Sequence, residues 1–256
     1  MKMIEAAYYN ENDPYCFAWL ENLIKRKLIE PGDVDGRSIQ DVPPCDVLPY
    51  RQAHFFAGIG VWSYACKQVK ALREVSRVWT GSCPCQPFSL AGKGAGFDDE
   101  RHLWPDWFWL IEQCRPQLIF GEQVASNYTE SWINLVQSDL EGKAYTTGSN
   151  HLPACGFGAP HERQRLWWVA YAKGTQWKWP KMETTAVQHS RSGKALRTYT
   201  WPQGCGPASN VCVSELLQKV DGVARQLEQR RTSAYGNAIV APVAVEFIRA
   251  ALACRP

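Results

Sequence analysis

Ala53-His54-Phe55-Phe56-Ala57-Gly58-Ile59-Gly60 is the stretch on which the fold turns. Its apolar start reads as a buried strand, its glycines as a tight turn. Trp62, Ala65, Cys66 and Val69 then follow at helical spacing. Outward from it, residues 77–80 read as a short strand, and Gly81-Ser82-Cys83-Pro84-Cys85-Gln86-Pro87-Phe88 as a loop at its carboxyl end. A Gly-rich segment covers residues 91–96. Residues 103–113 form an amphipathic helix, 118–122 a buried strand, 132–140 a helix, 166–171 a strand and 238–252 a closing helix. On the amino-terminal side, residues 4–9 read as a strand. Asp13 is a helix N-cap with Pro14 at the first helical position. Tyr15, Trp19, Leu20, Leu23, Ile24 and Leu28 continue that helix until Pro31-Gly32-Asp33 breaks it. Residues 41–50, with Pro43, Pro44 and Pro49, read as a loop. Strands alternating with helices predict a parallel α/β sheet, whose ligands bind beyond the carboxyl strand ends. Glu11, Gly58, Cys85 and Glu122 all fall at that edge.

The composition is that of a soluble globular chain. It has 256 residues, 45% hydrophobic and 21% charged, with 28 Lys and Arg against 25 Asp and Glu, a net +3. No stretch approaches the roughly 18–20 apolar residues of a membrane span, and Met1-Lys2-Met3-Ile4-Glu5 lacks a signal-peptide core. An intracellular location follows as an expectation, with the ten cysteines reduced. Neither close pair, Cys83/Cys85 or Cys205/Cys212, has zinc-site spacing, so no metal is expected. The small overall charge implies no nucleic-acid partner by itself. Between Arg163 and Trp201, however, eight basic residues stand against one acid, Glu183, with Trp177, Trp179, Tyr199 and Trp201 interleaved. Basic residues hold phosphates and aromatic rings stack on exposed bases, although a solvated loop has the same composition.

Four features carry chemistry. A glycine turn after a strand lets a nucleotide-like ligand approach the backbone, and serves a ligand-free turn equally well. Cys85, between Pro84 and Gln86, suits an exposed nucleophile, whereas Cys83 suits a buried structural thiol. Glu122, just past the 118–120 run, is either a cap or ion-pair partner, or a desolvated carboxyl that keeps its proton and donates it. Arg163 and Arg165 alternate, which in an extended segment points both guanidiniums to one side, suited to phosphate or carboxylate or to a solvated edge.

Taken together, these runs resemble the DNA (cytosine-5)-methyltransferase family: residues 81–89 with Gly92, then Gly121-Glu122-Gln123-Val124, then Arg163-Gln164-Arg165, then Gly236-Asn237-Ala238. The resemblance implies a Rossmann-like α/β sheet that uses S-adenosylmethionine (S-adenosyl-L-methionine), with a small target-recognition lobe. The implied domains are a catalytic and cofactor-binding domain at 1–171, a recognition region at 172–232 and a returning segment at 233–256. It implies that Cys85 adds to C6 of cytosine, that Glu122 holds N3 and the exocyclic amine, and that Arg165, with Arg163 beside it, holds the base carbonyl or a phosphate. Phe56, Gly58, Ile59, Gly60 and Pro84 would line the cofactor site, and Asn237 with Ala238 would tie it to the catalytic loop. The 91–103 segment would close over double-stranded DNA with the target base flipped out. The implied DNA contacts are Gln86, Ser89, Lys93 and Arg101, then Lys173, Lys178, Lys181, Arg191 and Arg197. An RNA acceptor and a non-catalytic DNA-binding relative are the alternatives within this fold. A nucleotide-dependent oxidoreductase would leave the Pro-Cys-Gln loop without a role. Such compactness suits a cytoplasmic enzyme of a bacterium, phage or mobile element.

One segment is out of place. Between Gly60 and Cys85 there is room for one helix and one strand, whereas a Rossmann-like site needs a further strand with an acidic residue for the ribose about 20 residues on. Asn10-Glu11-Asn12-Asp13-Pro14-Tyr15 is similar to that acidic strand end, and Pro31-Gly32-Asp33-Val34 to the next, adenine-contacting segment. The order of motifs is therefore permuted, with residues 1–50 supplying the first cofactor strands. Glu11 would take the ribose hydroxyls, Asp33 with Val34 the adenine, and Asn12 would stand where an apolar residue often packs on it. The alternative is an unrelated extension at 1–50. Val61 replaces a frequent third glycine, and Gln123 the usual Asn.

Overall fold

The computed structural model describes residues 4–84, 103–126, 129–174 and 238–254. Its strands are β1 (Ile4–Asn10), β2 (Gly32–Asp35), β3 (Tyr50–Phe55), β4 (Val78–Gly81), β5 (Leu118–Val124), β6 (Tyr145–Pro153) and β7 (Gln164–Ala172). Its α-helices are α1 (Pro14–Lys25), α2 (Pro44–Val47), α3 (Val61–Gln68), α4 (Trp104–Cys114), α5 (Thr129–Gly142) and α6 (Ala241–Ala253). Asp13 caps α1 as its position predicts, accepting the Tyr15 and Cys16 N–H groups at 2.9 Å each.

The seven strands form one sheet in the order β2-β1-β3-β4-β5-β7-β6. The first five are mutually parallel, but β7 runs antiparallel to both β5 and β6. The sheet is thus a mixed, Rossmann-like one rather than wholly parallel, because strand direction leaves no mark on hydrophobic period. β6 is a strand with no sequence signal: its residues Thr146, Thr147, Gly148, Ser149 and Asn150 sit at the sheet margin and bury little. Residues 41–50 are not all loop. Pro44 opens the short α2, since proline fits the first helical position, and β3 starts at Tyr50.

Tryptophan builds the core. On one sheet face Trp104, Trp107, Trp132 and Trp168 meet at ring-centroid distances of 5.7–6.5 Å, mostly edge to face. On the other, Trp62 and Trp167 pack with Phe120 and Phe247 under α3 and α6. Gly121 is required by this packing: a Cβ there would lie 2.0 Å from the Trp168 indole.

His54 lies wholly inside, under α3. Its Nδ1 is 2.8 Å from Thr80 Oγ1 and Tyr9 stacks on its ring at 5.1 Å. Burial, with Arg51 nearby, pushes its pKa down to about 3, so it folds neutral. The unfolded chain takes up a proton below about pH 6.5 that the folded chain refuses. Stability from this residue is therefore full above pH 6.5 and lost as pH falls toward 3, at up to about 1.4 kcal/mol per pH unit. Chemical denaturation of wild type and His54→Asn across that window should show the shallower acid slope in the variant.

Candidate active site

The parallel register sets Asn10, Asp35, Phe55, Gly81 and Gly121 level with one another at the carboxyl edge. Everything that gathers there comes from the next few residues of each strand.

Beyond β3 the chain turns sharply. Phe56, Gly58 and Gly60 have φ of 50°, 54° and 78°. The left-handed region is natural for glycine but costly for Phe56, whose ring is held edge-on by Trp107 at 5.9 Å. Gly60 then caps α3 without a side-chain partner. Glu11, one residue past β1, reaches across to this turn: one carboxylate oxygen accepts the Gly58 N–H at 2.7 Å, the other the Asp13 N–H at 2.9 Å. Burial raises the Glu11 pKa, and these backbone donors oppose the rise. Among the described residues, nothing lies within 4 Å of a Cβ placed on Gly58. Ile59 is half-buried and Asn12 exposed beside this turn.

Asp33 is not at the edge. It sits two residues short of it, exposed, accepting the Tyr50 hydroxyl at 2.5 Å, while Val34 packs against the α1 cluster. The acid level with Asn10 is Asp35, which sequence reading missed although it shares Asp33's strand face. It accepts the Tyr8 hydroxyl at 2.6 Å and a bidentate Arg37 guanidinium. Burial alone would raise its pKa, but Arg37 and Tyr8 outweigh it and hold the carboxyl below its usual range. Asn10 Nδ2 donates to the Arg37 carbonyl at 2.9 Å and so fixes the turn after β2.

On the other side of β3, β5 continues through Glu122 to Val124, so Glu122 lies inside the strand rather than past it. It is 5% exposed, with one oxygen 2.9 Å from Arg165 Nε. Burial raises its pKa; Arg165, the Ser82 hydroxyl and Arg163 pull it back, in that order. A carboxyl raised by burial is disposed to hold a proton that it can donate. Arg163 acts on the same carboxylate through its charge, and is placed differently than expected. It precedes β7 with φ 30°, so a turn rather than strand alternation brings the two arginines together. Its guanidinium also donates to the Ala238 carbonyl at 2.8 Å, joining this side to the carboxyl-terminal segment.

The neighbouring Gln123 is buried, and its amide donates to the Cys83 carbonyl at 3.0 Å. The longer amide thus anchors the chain directly before the half-buried Pro84. Cys83 itself is 2% exposed in the tryptophan core, as its structural reading requires. Lys173 is not brought to this edge: β7 is antiparallel and carries it to the opposite end of the sheet, where it bonds the Ala144 carbonyl. Cys85, Gln86, Ser89, Lys93, Arg101, Lys178, Lys181, Arg191, Arg197 and Asn237 lie outside the described residues. Among the described residues no helix is long and apolar enough to cross a membrane, and no three His, Cys, Asp or Glu gather as metal ligands.

A family model described as C-5 cytosine-specific DNA methylase matches residues 65–235. Among curated proteins, the type II methyltransferase M.AplI of Arthrospira platensis is 31% identical over 118 residues, 45% of this chain and 33% of that protein. M.HhaI of Haemophilus parahaemolyticus is 29% identical over 92 residues, 34% of this chain and 28% of its own. The matched stretch thus spans about a third of each relative's length. Among solved structures, DNMT2 of Spodoptera frugiperda aligns with TM-score 0.44 and 17% identity, over 67% of this chain and 44% of that one.

Proposed function

Because the chain belongs to the C-5 cytosine-specific DNA methylase family, we propose that it transfers a methyl group from S-adenosylmethionine to C5 of cytosine in double-stranded DNA. The observation that carries this reading is the buried Glu122–Arg165 pair, beside the Gln123 anchor on the strand end that leads to Cys85. C5 of cytosine is a poor nucleophile. Addition of the Cys85 thiolate to C6, while Glu122 donates a proton toward N3, makes the ring enamine-like at C5. Arg165, and Arg163 behind it, hold the base carbonyl and keep Glu122 oriented. After methylation, loss of the C5 proton and departure of Cys85 restore the aromatic ring. The reacting carbons are shielded in a stacked duplex, so the base is flipped out.

The residues of the glycine turn fit the cofactor. Space left over Gly58 by the described residues and a carboxylate at the end of the adjacent strand are what an adenosine-bearing ligand requires. Glu11 would take the ribose hydroxyls, and Phe56, Gly58, Ile59 and Gly60 would line the sulfonium end, with Pro84 and Ala238 closing it. When bound, S-adenosylmethionine supplies an electrophilic methyl group. Counted from the glycine strand, a doubly wound sheet reads 3-2-1-4-5 across. Here β2-β1-β3-β4-β5 has that spatial order although β1 and β2 come first in the chain, which supports a permuted arrangement. Target recognition is assigned to residues 172–232, with their basic and aromatic side chains.

The test is direct. Purified protein is incubated with isotopically labelled S-adenosylmethionine and either duplex DNA or RNA, and the product nucleosides are identified by mass. The reading predicts 5-methyldeoxycytidine from DNA. Label appearing only in RNA cytidine would replace the acceptor, and no labelled cytosine from folded protein would refute the reaction.

A further inference from the structure

Ser82 lies in the 81–89 run but has no role in the proposed reaction, yet it stands beside the group on which that reaction depends. The parallel pairing of Gly81 with Gly121 sets the next residues of the two strands, Ser82 and Glu122, side by side at the carboxyl edge. Ser82 Oγ accepts the indole N–H of Trp62 at 3.2 Å. Trp62 is 3% exposed on α3 and fixed between Trp167 and Phe120, so this donor does not turn away. With one lone pair occupied from that side, the Ser82 hydroxyl proton is left to turn toward the Glu122 carboxylate beside it, whose pKa the hydroxyl lowers. The groups facing Glu122 are then Ser82 from the end of β4, Arg165 from β7 and Arg163 from the turn before β7.

We infer that Trp62 and Ser82 form a hydrogen-bonded relay that holds Glu122 in place and governs its exchange of a proton, making Ser82 a positioning residue for methyl transfer. The catalytic consequence rests on the reaction proposed above; the relay itself does not. A hydroxyl donor favours the ionised carboxyl over the protonated one. Removing it leaves Glu122 protonated to higher pH, which moves the alkaline limb of the rate profile upward. It also frees the carboxyl to rotate, which lowers kcat more than it raises KM for DNA.

The experiment follows the Glu122 carboxyl by 13C NMR in glutamate-labelled protein, its signal identified by loss in Glu122→Gln. The variants are Ser82→Ala, which removes the hydroxyl, Ser82→Thr, which keeps it, and Trp62→Phe, which keeps the ring but not the N–H. Expected are a midpoint raised by roughly one pH unit in Ser82→Ala, a smaller rise in Trp62→Phe, and the wild-type midpoint in Ser82→Thr. The alkaline limb of methylation should move with the midpoint. An unchanged midpoint in folded Ser82→Ala would overturn the relay. Were that variant not to fold, an unchanged midpoint in Trp62→Phe would do so. Shifted midpoints in a protein that methylates no cytosine would instead refute the proposed function and leave the relay standing.

Discussion

Cys85→Ala is expected to lose cytosine methylation by at least about a thousandfold, because without thiolate addition at C6 the ring offers no nucleophilic carbon. The loss should fall on kcat, with DNA affinity near that of the wild type. The neighbouring cysteine supplies the control. Cys83 is two residues away but 2% exposed among the core aromatics, with its carbonyl bound by Gln123. It cannot take over as nucleophile, and Cys83→Ala should keep the chemistry while lowering the unfolding midpoint. Parallel single-turnover assays and thermal melts separate the two. Comparable activity in Cys85→Ala would mean that the methyl group reaches cytosine by another route.

Glu11→Ala should weaken S-adenosylmethionine binding about 10- to 100-fold, the worth of a charge-assisted hydrogen bond or two at a partly buried site. The carboxylate has two duties in this structure: it would accept from the ribose, and it holds the glycine turn through the Gly58 N–H. Glu11→Gln distinguishes them, since its amide oxygen can still accept from Gly58 but carries no charge. Titration calorimetry should place Glu11→Gln between wild type and Glu11→Ala. Both variants should stay folded, since β1 is held by pairing with β2 and β3 on either side. Undiminished binding in Glu11→Ala would mean that residues 1–50 do not furnish the cofactor site.

These expectations draw on different depths of the sequence. The glycine turn, the Asp13-Pro14 helix start and the strand from residue 118, read as ending at 122, were legible because each depends on neighbours in the chain: special φ angles, a capping side chain, an unbroken apolar run. Glu122 and Arg165 were legible as candidates, but their 2.9 Å contact was not, since it needs the antiparallel register of β5 and β7. Arg163 was assigned to an extended run that a left-handed turn replaces. Lys173 was grouped with the basic segment, and strand direction alone carries it away from Glu122. Asp35, Ser82 and Gln123 bond Tyr8, Trp62 and Cys83 across 27, 20 and 40 residues, contacts that no local pattern marks. The base-stacking tryptophans Trp177, Trp179 and Trp201 lie outside the described residues, whereas Trp79, Trp104, Trp107, Trp132, Trp167 and Trp168 are core.

The measurement closest to the central claim is covalent trapping. Duplex DNA in which cytosine is replaced by 5-fluorocytosine has no C5 proton to lose, so addition and methylation can proceed but release of the enzyme cannot. With S-adenosylmethionine present, intact-mass and peptide analysis should find one adduct per chain, carrying the added methyl group and attached through Cys85. A folded, cofactor-bound protein that forms no adduct, or forms it through another residue, would contradict the account.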